Sequence, residues 1–224
     1  MQNSRLGSYT VYYNNSEEFH ELKREIFTTQ VYYLELANTK PTILDGGAHI
    51  GLSTLYFKQL YPQAKIVALE PLAENAVCLE KNIYENQLQD VQTIHAVLAE
   101  HAGTIQLNYD SSDEQWFSSA SVRVGAWNGA QKTAARTVPA VTLNAFLEKQ
   151  HFDVVKLDIE GAELAVFNAA KNMLTAADNY IIEVHESKQN ELQQLEKLFI
   201  NQHFSISKQR LTKDGLWLLQ ASKT

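Results

Sequence analysis

The stretch Thr42-Ile-Leu-Asp-Gly-Gly-Ala-His-Ile-Gly51 constrains this chain more than any other. A short apolar run ending in an acid, then a glycine turn, then a helical segment at Leu52 to Leu60, reads as a strand–turn–helix unit. Glycines in such a turn adopt positive φ and let a bulky ligand approach the backbone. The free amide hydrogens at the helix start favour a carboxylate or a phosphate. Read from Gly46, the turn also fits a dinucleotide-binding pattern loosely, with Ala48 at the second glycine position. Asp45 separates the two cases. On the last residue of the strand it accepts a hydrogen bond from a cationic amino acid end, and it would repel a pyrophosphate.

The same alternation continues along the chain. Lys65 to Glu70 is a second strand and Glu74 to Tyr84 a second helix. Val91 to Val97 is a third strand, followed by a strand-like piece at Thr104 to Asn108. Tyr109 to Thr137, rich in Ser, Gly, Asn and Asp, reads as loop. Thr142 caps a helix over Leu143 to Lys149. Asp153 to Asp158 is strand four, Glu163 to Lys171 a helix, Asn179 to Val184 strand five, and Lys188 to Asn201 an amphipathic helix. A hairpin closes the pattern, with Phe204 to Lys208 and Gly215 to Ala221 joined through Lys213-Asp214-Gly215. Ahead of it all lie a strand near Tyr9 to Tyr13 and a helix over Glu17 to Phe27 with Ser16 as its N-cap. Strands separated by helices predict an α/β fold. The expected sheet is Rossmann-like and doubly wound, mostly parallel and seven-stranded, with an antiparallel C-terminal hairpin strand. No repeat or Pro/Gly-rich linker divides the chain. It reads as one domain over residues 1–224, with 1–40 a strand and helix cover and 41–224 the Rossmann-like core.

Charge and cysteine usage narrow the function classes. The formal net charge is −7 and no basic run occurs, which disfavours nucleic acid as a partner. Met1 to Tyr13 has neither a basic nor an apolar signal region, and no apolar run has the roughly 20 residues a membrane span needs. The single Cys78 makes no internal disulfide, so a reducing cytoplasm is the expected compartment. Oligomeric state is not legible.

Two groups of polar residues carry the chemistry. Glu70 closes the second strand where a ribose-binding acid belongs, with Pro71 behind it and Leu72 offering apolar surface to a purine. Lys156-Leu-Asp-Ile-Glu-Gly-Ala-Glu163 spans the end of strand four. With period two, Lys156, Asp158 and Glu160 share one side while the chain stays extended. Strand five ends Glu183-Val-His185-Glu186, near the same carboxyl edge where α/β sheets bind ligands. So many polar groups would stabilise a core poorly.

With these residues in view, the chain resembles the FkbM-type class I methyltransferases. The likeness rests on the Thr42–Gly51 turn, Val67-Ala-Leu-Glu-Pro71, Val155-Lys-Leu-Asp-Ile-Glu-Gly-Ala-Glu163, Glu25-Ile-Phe27 with Tyr32-Tyr33, and Ile182-Glu-Val-His185. His49 stands where the family usually has Asn. The resemblance implies S-adenosylmethionine as donor and O-methylation of a hydroxyl on a small molecule or saccharide. By that reading Asp45 and Gly47 hold the methionine end, Gly51 and Ser53 the helix start, and Glu70, with Pro71 beside it, the ribose. Ala96 and Val97 flank the adenine, and Tyr32 and Tyr33 close over the cofactor. Asp158 and His185 are the candidate bases, with Glu160 orienting. No metal is assigned, although Asp158, Glu160, Glu183 and His185 carry donor types a divalent cation accepts. Acceptor choice falls to Tyr109 to Thr137, through Trp116, Phe117, Trp127, Ser118, Ser119, Ser121 and Arg123. The competing readings are an NAD-dependent oxidoreductase and a non-catalytic ligand-binding module.

Overall fold

The structure, a computed structural model, describes residues 1–111, 120–122, 133–187, 191–212 and 215–224. Five parallel strands form its centre: β3 (Thr42–Gly46), β4 (Lys65–Leu69), β5 (Val91–Ile94), β9 (Phe152–Leu157) and β10 (Ala177–His185). With β11 (Phe204–Arg210) and β12 (Leu216–Lys223) they make a seven-stranded sheet in the order β11-β12-β10-β9-β3-β4-β5. β12 runs antiparallel to both neighbours, as the sequence predicts for the hairpin. Lys213 and Asp214 of its turn lie outside the described residues.

Helices cover both faces because the buried strands are apolar on both. Leu44, Val155, Leu157, Tyr180 and Ile182 pack against α4 (Asn144–Leu147), α5 (Glu163–Ala170) and α6 (Leu192–Asn201). Ile43, Val154 and Ile181 pack against α2 (Leu52–Leu60) and α3 (Ala73–Glu85). Alternation places Asp45, Lys156 and Glu183 on this second face, toward α2. The N-terminal hairpin β1 (Gln2–Leu6) and β2 (Tyr9–Tyr13), α1 (Ser16–Lys23) and a π-helical turn at Arg24–Thr28 complete that layer. Asn82 of α3 anchors the hairpin by accepting from Tyr12 N (2.6 Å) and donating to Tyr12 O (3.0 Å) and Ile50 O (2.8 Å).

Three local expectations are corrected. The N-cap of α1 is Asn15, whose side chain accepts from the Glu17 and Glu18 amides, and not Ser16, which already lies inside the helix. Residues 91–97 are two strands, since β6 (Val97–Leu98) leaves the main sheet for a second one with β7 (Gly103–Asp110) and β8 (Thr133–Val141). Thr133 to Thr137, expected as loop, is therefore strand, antiparallel to β7. Trp116, Phe117, Ser118, Ser119, Arg123 and Trp127 lie outside the described residues. Ser121 is described; it bridges to Asn108 of β7.

The glycine turn is shaped by steric contact. Gly47 has φ +77°, and a Cβ there would lie 1.9 Å from the carbonyl oxygen of Asp158. Gly51 has φ +92° and caps α2. Gly47→Ala is expected to destabilise the fold by about 3 kcal/mol or more, among the larger single-substitution effects. Denaturant midpoints measure it, and a loss below about 1 kcal/mol would mean the turn relaxes freely.

The N-terminal layer is tied to the same turn by Glu18, buried in α1, whose carboxylate lies 3.5 Å from His49 Nε2. Burial alone would lower the imidazole pKa, but Glu18, Glu70 and Asp158 outweigh it and raise the value. A raised folded-state pKa gives stability that is full below the ordinary histidine value of about 6.5 and fades as pH rises through the folded value. Glu18→Gln should accordingly lower Tm most near pH about 6, with the difference closing toward alkaline pH. Equal differences across that range would show that the pair is uncoupled from folding.

Candidate active site

A cleft opens at the carboxyl ends of β3, β4 and β5. It is lined by Gly47, Glu70, Pro71, Ala96 and Val97, by Asp158 and Glu160, and by the apolar Leu98, Leu107 and Ala120. Each wall has a local cause. Gly47 turns the chain outward after β3, and its missing side chain lets the Asp158 backbone come close. Glu70 follows β4 directly and is 5% exposed. Its Oε1 accepts from Leu72 N at 2.9 Å and Asn75 Nδ2 at 3.3 Å, and its Oε2 accepts from His49 N at 2.9 Å. Burial raises its pKa, while His49 and these donors pull it back.

The floor beneath the turn is organised by Lys156, whose side chain is 2% exposed. Its Nζ donates to Gly47 O at 2.8 Å and Gly46 O at 3.4 Å, and lies 3.3 Å from Asp45 Oδ1 and 4.0 Å from Asp158 Oδ2. Desolvation opposes this charge, but Asp45, Asp158 and Glu183 together raise its pKa.

Asp45 is not a wall of the cleft. It is wholly buried, and its Oδ2 accepts from Ser53 Oγ at 2.7 Å and Thr54 Oγ1 at 2.8 Å. Strand alternation turns this carboxylate toward α2 and Lys156. Ser53 is buried with it, and the Gly51 Cα faces Leu79, so neither lines the cleft. Tyr33 is 49% exposed and its carbonyl accepts from Gln220 Nε2, so it does not cover the cleft either. Tyr32 is the tyrosine that turns inward: its hydroxyl donates to Glu183 Oε1, and Lys156 Nζ stands 5.2 Å from its ring centroid. Leu72 is fully buried in the core of the small sheet and presents no surface to a purine.

The second cluster assembles as the spacing implied, with additions. Glu160, at φ +54°, projects beside the cleft and its Oε2 lies 3.3 Å from His185 Nε2. Glu163, fully buried at the start of α5, accepts from Gly161 N at 2.9 Å and lies 3.3 Å from His185 Nδ1. Burial opposes charge on His185, but Glu160, Glu163 and Asp158 raise its pKa well above the ordinary value. Both ring nitrogens of His185 thus face an acid, Nε2 toward Glu160 and Nδ1 toward Glu163. Burial pushes the Glu160 carboxyl up to about 8, with His185 opposing and Asp158 adding to the rise. Glu183 is raised well above its usual range, by burial first and then by Asp158 and Glu25. Glu25 of the π-helical turn is itself raised to about 7, by burial and then Asp158. Single ligand atoms of Asp158, Glu183 and His185 lie within 4.8 Å of one another. Glu18, Glu25 and Glu163 were missed as site residues. The Glu25-Ile-Phe27 string carried Glu25 and the Lys156–Glu163 string carried Glu163, whereas nothing local marks Glu18, which meets His49 from a separate element.

Comparison with known proteins bears on the family and the fold. Residues 45–207 match the methyltransferase FkbM domain. Methyltransferase sdnD of Sordaria araneosa is 28% identical over 92% of this chain and 88% of its own length. Methyltransferase 1 of Beauveria bassiana is 25% identical, covering 80% of each. Among solved structures, the methyltransferase FkbM from Methylobacillus flagellatus superposes with a TM-score of 0.61 at 13% identity, over 84% of this chain and 45% of that one. TrmK of M. capricolum, solved with its cofactor product S-adenosylhomocysteine, gives 0.52 at 16% identity, over 88% and 68%. These two likenesses carry the fold, which is that of the class I methyltransferases. With the domain match spanning most of the chain, this protein belongs to the FkbM methyltransferase family.

Proposed function

We propose that this chain moves a methyl group from S-adenosylmethionine to a hydroxyl of a small molecule or saccharide. The observation that carries the reading is one cleft bounded by Gly47, Glu70, Ala96 and Val97 on one wall and by Asp158 and Glu160 on the other. The residues of the first wall fit the donor. Gly47 offers a surface with no side chain. Glu70 is locked by three donors, two on Oε1 and one on Oε2, and keeps a lone pair of Oε2 free for a ribose hydroxyl. Ala96 and Val97 would flank the adenine, with Pro71 beside them. When bound, this donor supplies an electrophilic methyl on a sulfonium.

The protein's own contribution is positioning and proton removal. Leu98, Leu107 and Ala120 give the cleft apolar lining. Glu160 stands on the acceptor wall, is braced by His185, and in its ionised form, favoured above pH about 8, takes the hydroxyl proton as the oxygen–carbon bond forms. Asp158 lies beside it. Glu163, gripping His185 from behind, fixes the imidazole and through it the Glu160 carboxylate. Acceptor choice belongs to the segment between β7 and β8. Ser121, inside that segment, donates from Oγ to the Glu160 carbonyl at 2.6 Å and so brings it onto the acceptor wall.

Glu70→Ala should weaken S-adenosylhomocysteine binding by about 1–3 kcal/mol, the range for stranding hydrogen-bonded polar groups. Calorimetric titration decides it, and unchanged affinity in a folded variant removes Glu70 from the site. Glu160→Gln should lower turnover about 10²–10⁴-fold while S-adenosylhomocysteine affinity stays within a few-fold. The assay is formation of that product over a panel of hydroxylated small molecules and saccharides. A variant as fast as wild type would exclude Glu160 as the base.

A further inference from the structure

Glu18 is an acid at a place where the packing of α1 requires none. Its side chain is 4% exposed, and the imidazole of His49 lies 3.5 Å away on the glycine turn. Among the described residues no other side chain forms an ion pair with that imidazole, and its Nδ1 has no hydrogen-bond partner. A carboxylate buried in this way is costly unless its partner is charged. Both members of the pair reach the cleft. His49 lines it, and so does Leu22, one turn beyond Glu18 on α1. The backbone of His49, at φ +51°, donates from N to Glu70 Oε2 at 2.9 Å. Carboxylate, imidazole and carboxylate thus follow one another from α1 to the end of β4. Burial lowers the His49 pKa, and Glu18 is the first of the groups that raise it, ahead of Glu70 and Asp158. Burial raises the Glu70 pKa, and His49 is the first of the groups that lower it.

We propose that Glu18 is a positioning residue for the methyl donor, acting through His49 to keep the Glu70 carboxylate ionised and in place for the ribose. That part rests on Glu70 binding the ribose, as proposed above. The oxygen that receives the His49 amide is the one with a free lone pair, so a turn held from α1 holds the acceptor that the ribose uses. Helix α1 then contributes to donor affinity without Glu18 touching the donor. The charge of His49 is the link. It is set by Glu18 from α1, Glu70 from the end of β4 and Asp158 from beyond β9, and Glu160 shares the cleft. Below the raised imidazole pKa the series is intact. Above it the cation is lost, and the buried Glu70 carboxylate loses the charge that offsets its desolvation.

Calorimetric titration of the full-length protein with S-adenosylhomocysteine is the test. At pH about 7, just above the ordinary histidine value, Glu18→Gln should weaken binding about tenfold, the effect of one unit in a linked pKa. The difference should close toward alkaline pH, where His49 is neutral in both proteins. In a Glu70→Ala background the same substitution should change affinity by less than about twofold, because the group it acts on is gone. His49→Asn, with a residue that tolerates left-handed backbone, should reproduce the loss. It should also abolish the pH dependence that belongs to His49 and leave any that belongs to Glu160. Circular dichroism establishes that each variant is folded, and should Glu18→Gln fail to fold, His49→Asn carries the comparison. Unchanged affinity in the folded variants overturns the proposal. So does an equal loss with and without Glu70, which would mean that Glu18 only braces the fold. If wild type binds no S-adenosylhomocysteine at any pH, the donor reading itself falls and takes this role with it, an outcome distinct from wild-type binding that the variants leave intact.

Discussion

The buried ammonium of Lys156 is the interaction on which the rest of the site depends. Removing such a charge from water costs several kcal/mol unless partners replace the lost hydration. Here the replacements come from two strands and the turn between strand and helix: Asp45 beside it on β3, the carbonyls of Gly46 and Gly47, and Asp158 beyond the end of β9. The register that sets Asp45 opposite Lys156 therefore also sets the height of the glycine turn over the strand edge. Gly47 has no freedom to move away, because its Cα sits against the Asp158 carbonyl. A single cation thus aligns the wall read here as the donor side with the wall read as the acceptor side.

Around that hub the protein gathers more carboxyl groups than cationic side chains, and the N-terminal layer takes part in this. Glu18 reaches His49 from α1, Glu25 reaches toward Asp158 from the π-helical turn, and Tyr32 satisfies one oxygen of Glu183. Residues that from their position resemble a cover are therefore electrostatic members of the site. Packing alone would not require acids at these places; Phe19, Ile26 and Val31 supply the apolar contact.

Much of the architecture was legible in the sequence because a buried parallel strand advertises itself. Ile43, Leu44, Val154, Val155, Ile181 and Ile182 are runs that only a two-sided core accepts. The glycine turn and the Lys156–Glu163 string were legible for a similar reason, since their residue types make little sense elsewhere. What escaped was whatever depended on direction within a period or on distant partners. Asp45 has the right position and faces the interior; Tyr32 and Tyr33 differ by one residue and point opposite ways. β8 escaped because Thr-Ala-Ala-Arg-Thr-Val-Pro-Ala-Val is small and mixed, and Pro139 argues against an interior strand. In the structure Pro139 stands opposite Thr104 of β7, and β6 pairs with β8 only beyond it, at Ala140 and Val141.

The interleaving of β12 between β10 and β11 has a consequence for how the protein is made. β10 carries Glu183 and His185, and its second edge is paired by residues 216–222, opposite Leu218 and Leu216 respectively. During synthesis β10 meets its parallel neighbour β9 first, and its other edge stays open until α6, β11 and β12 have all emerged. For that interval Tyr180, Ile181, Ile182 and Val184 form an unpaired apolar edge, the kind of template on which nascent chains associate wrongly. The edge that carries Glu183 and His185 is thus incomplete until one distant strand has found its slot.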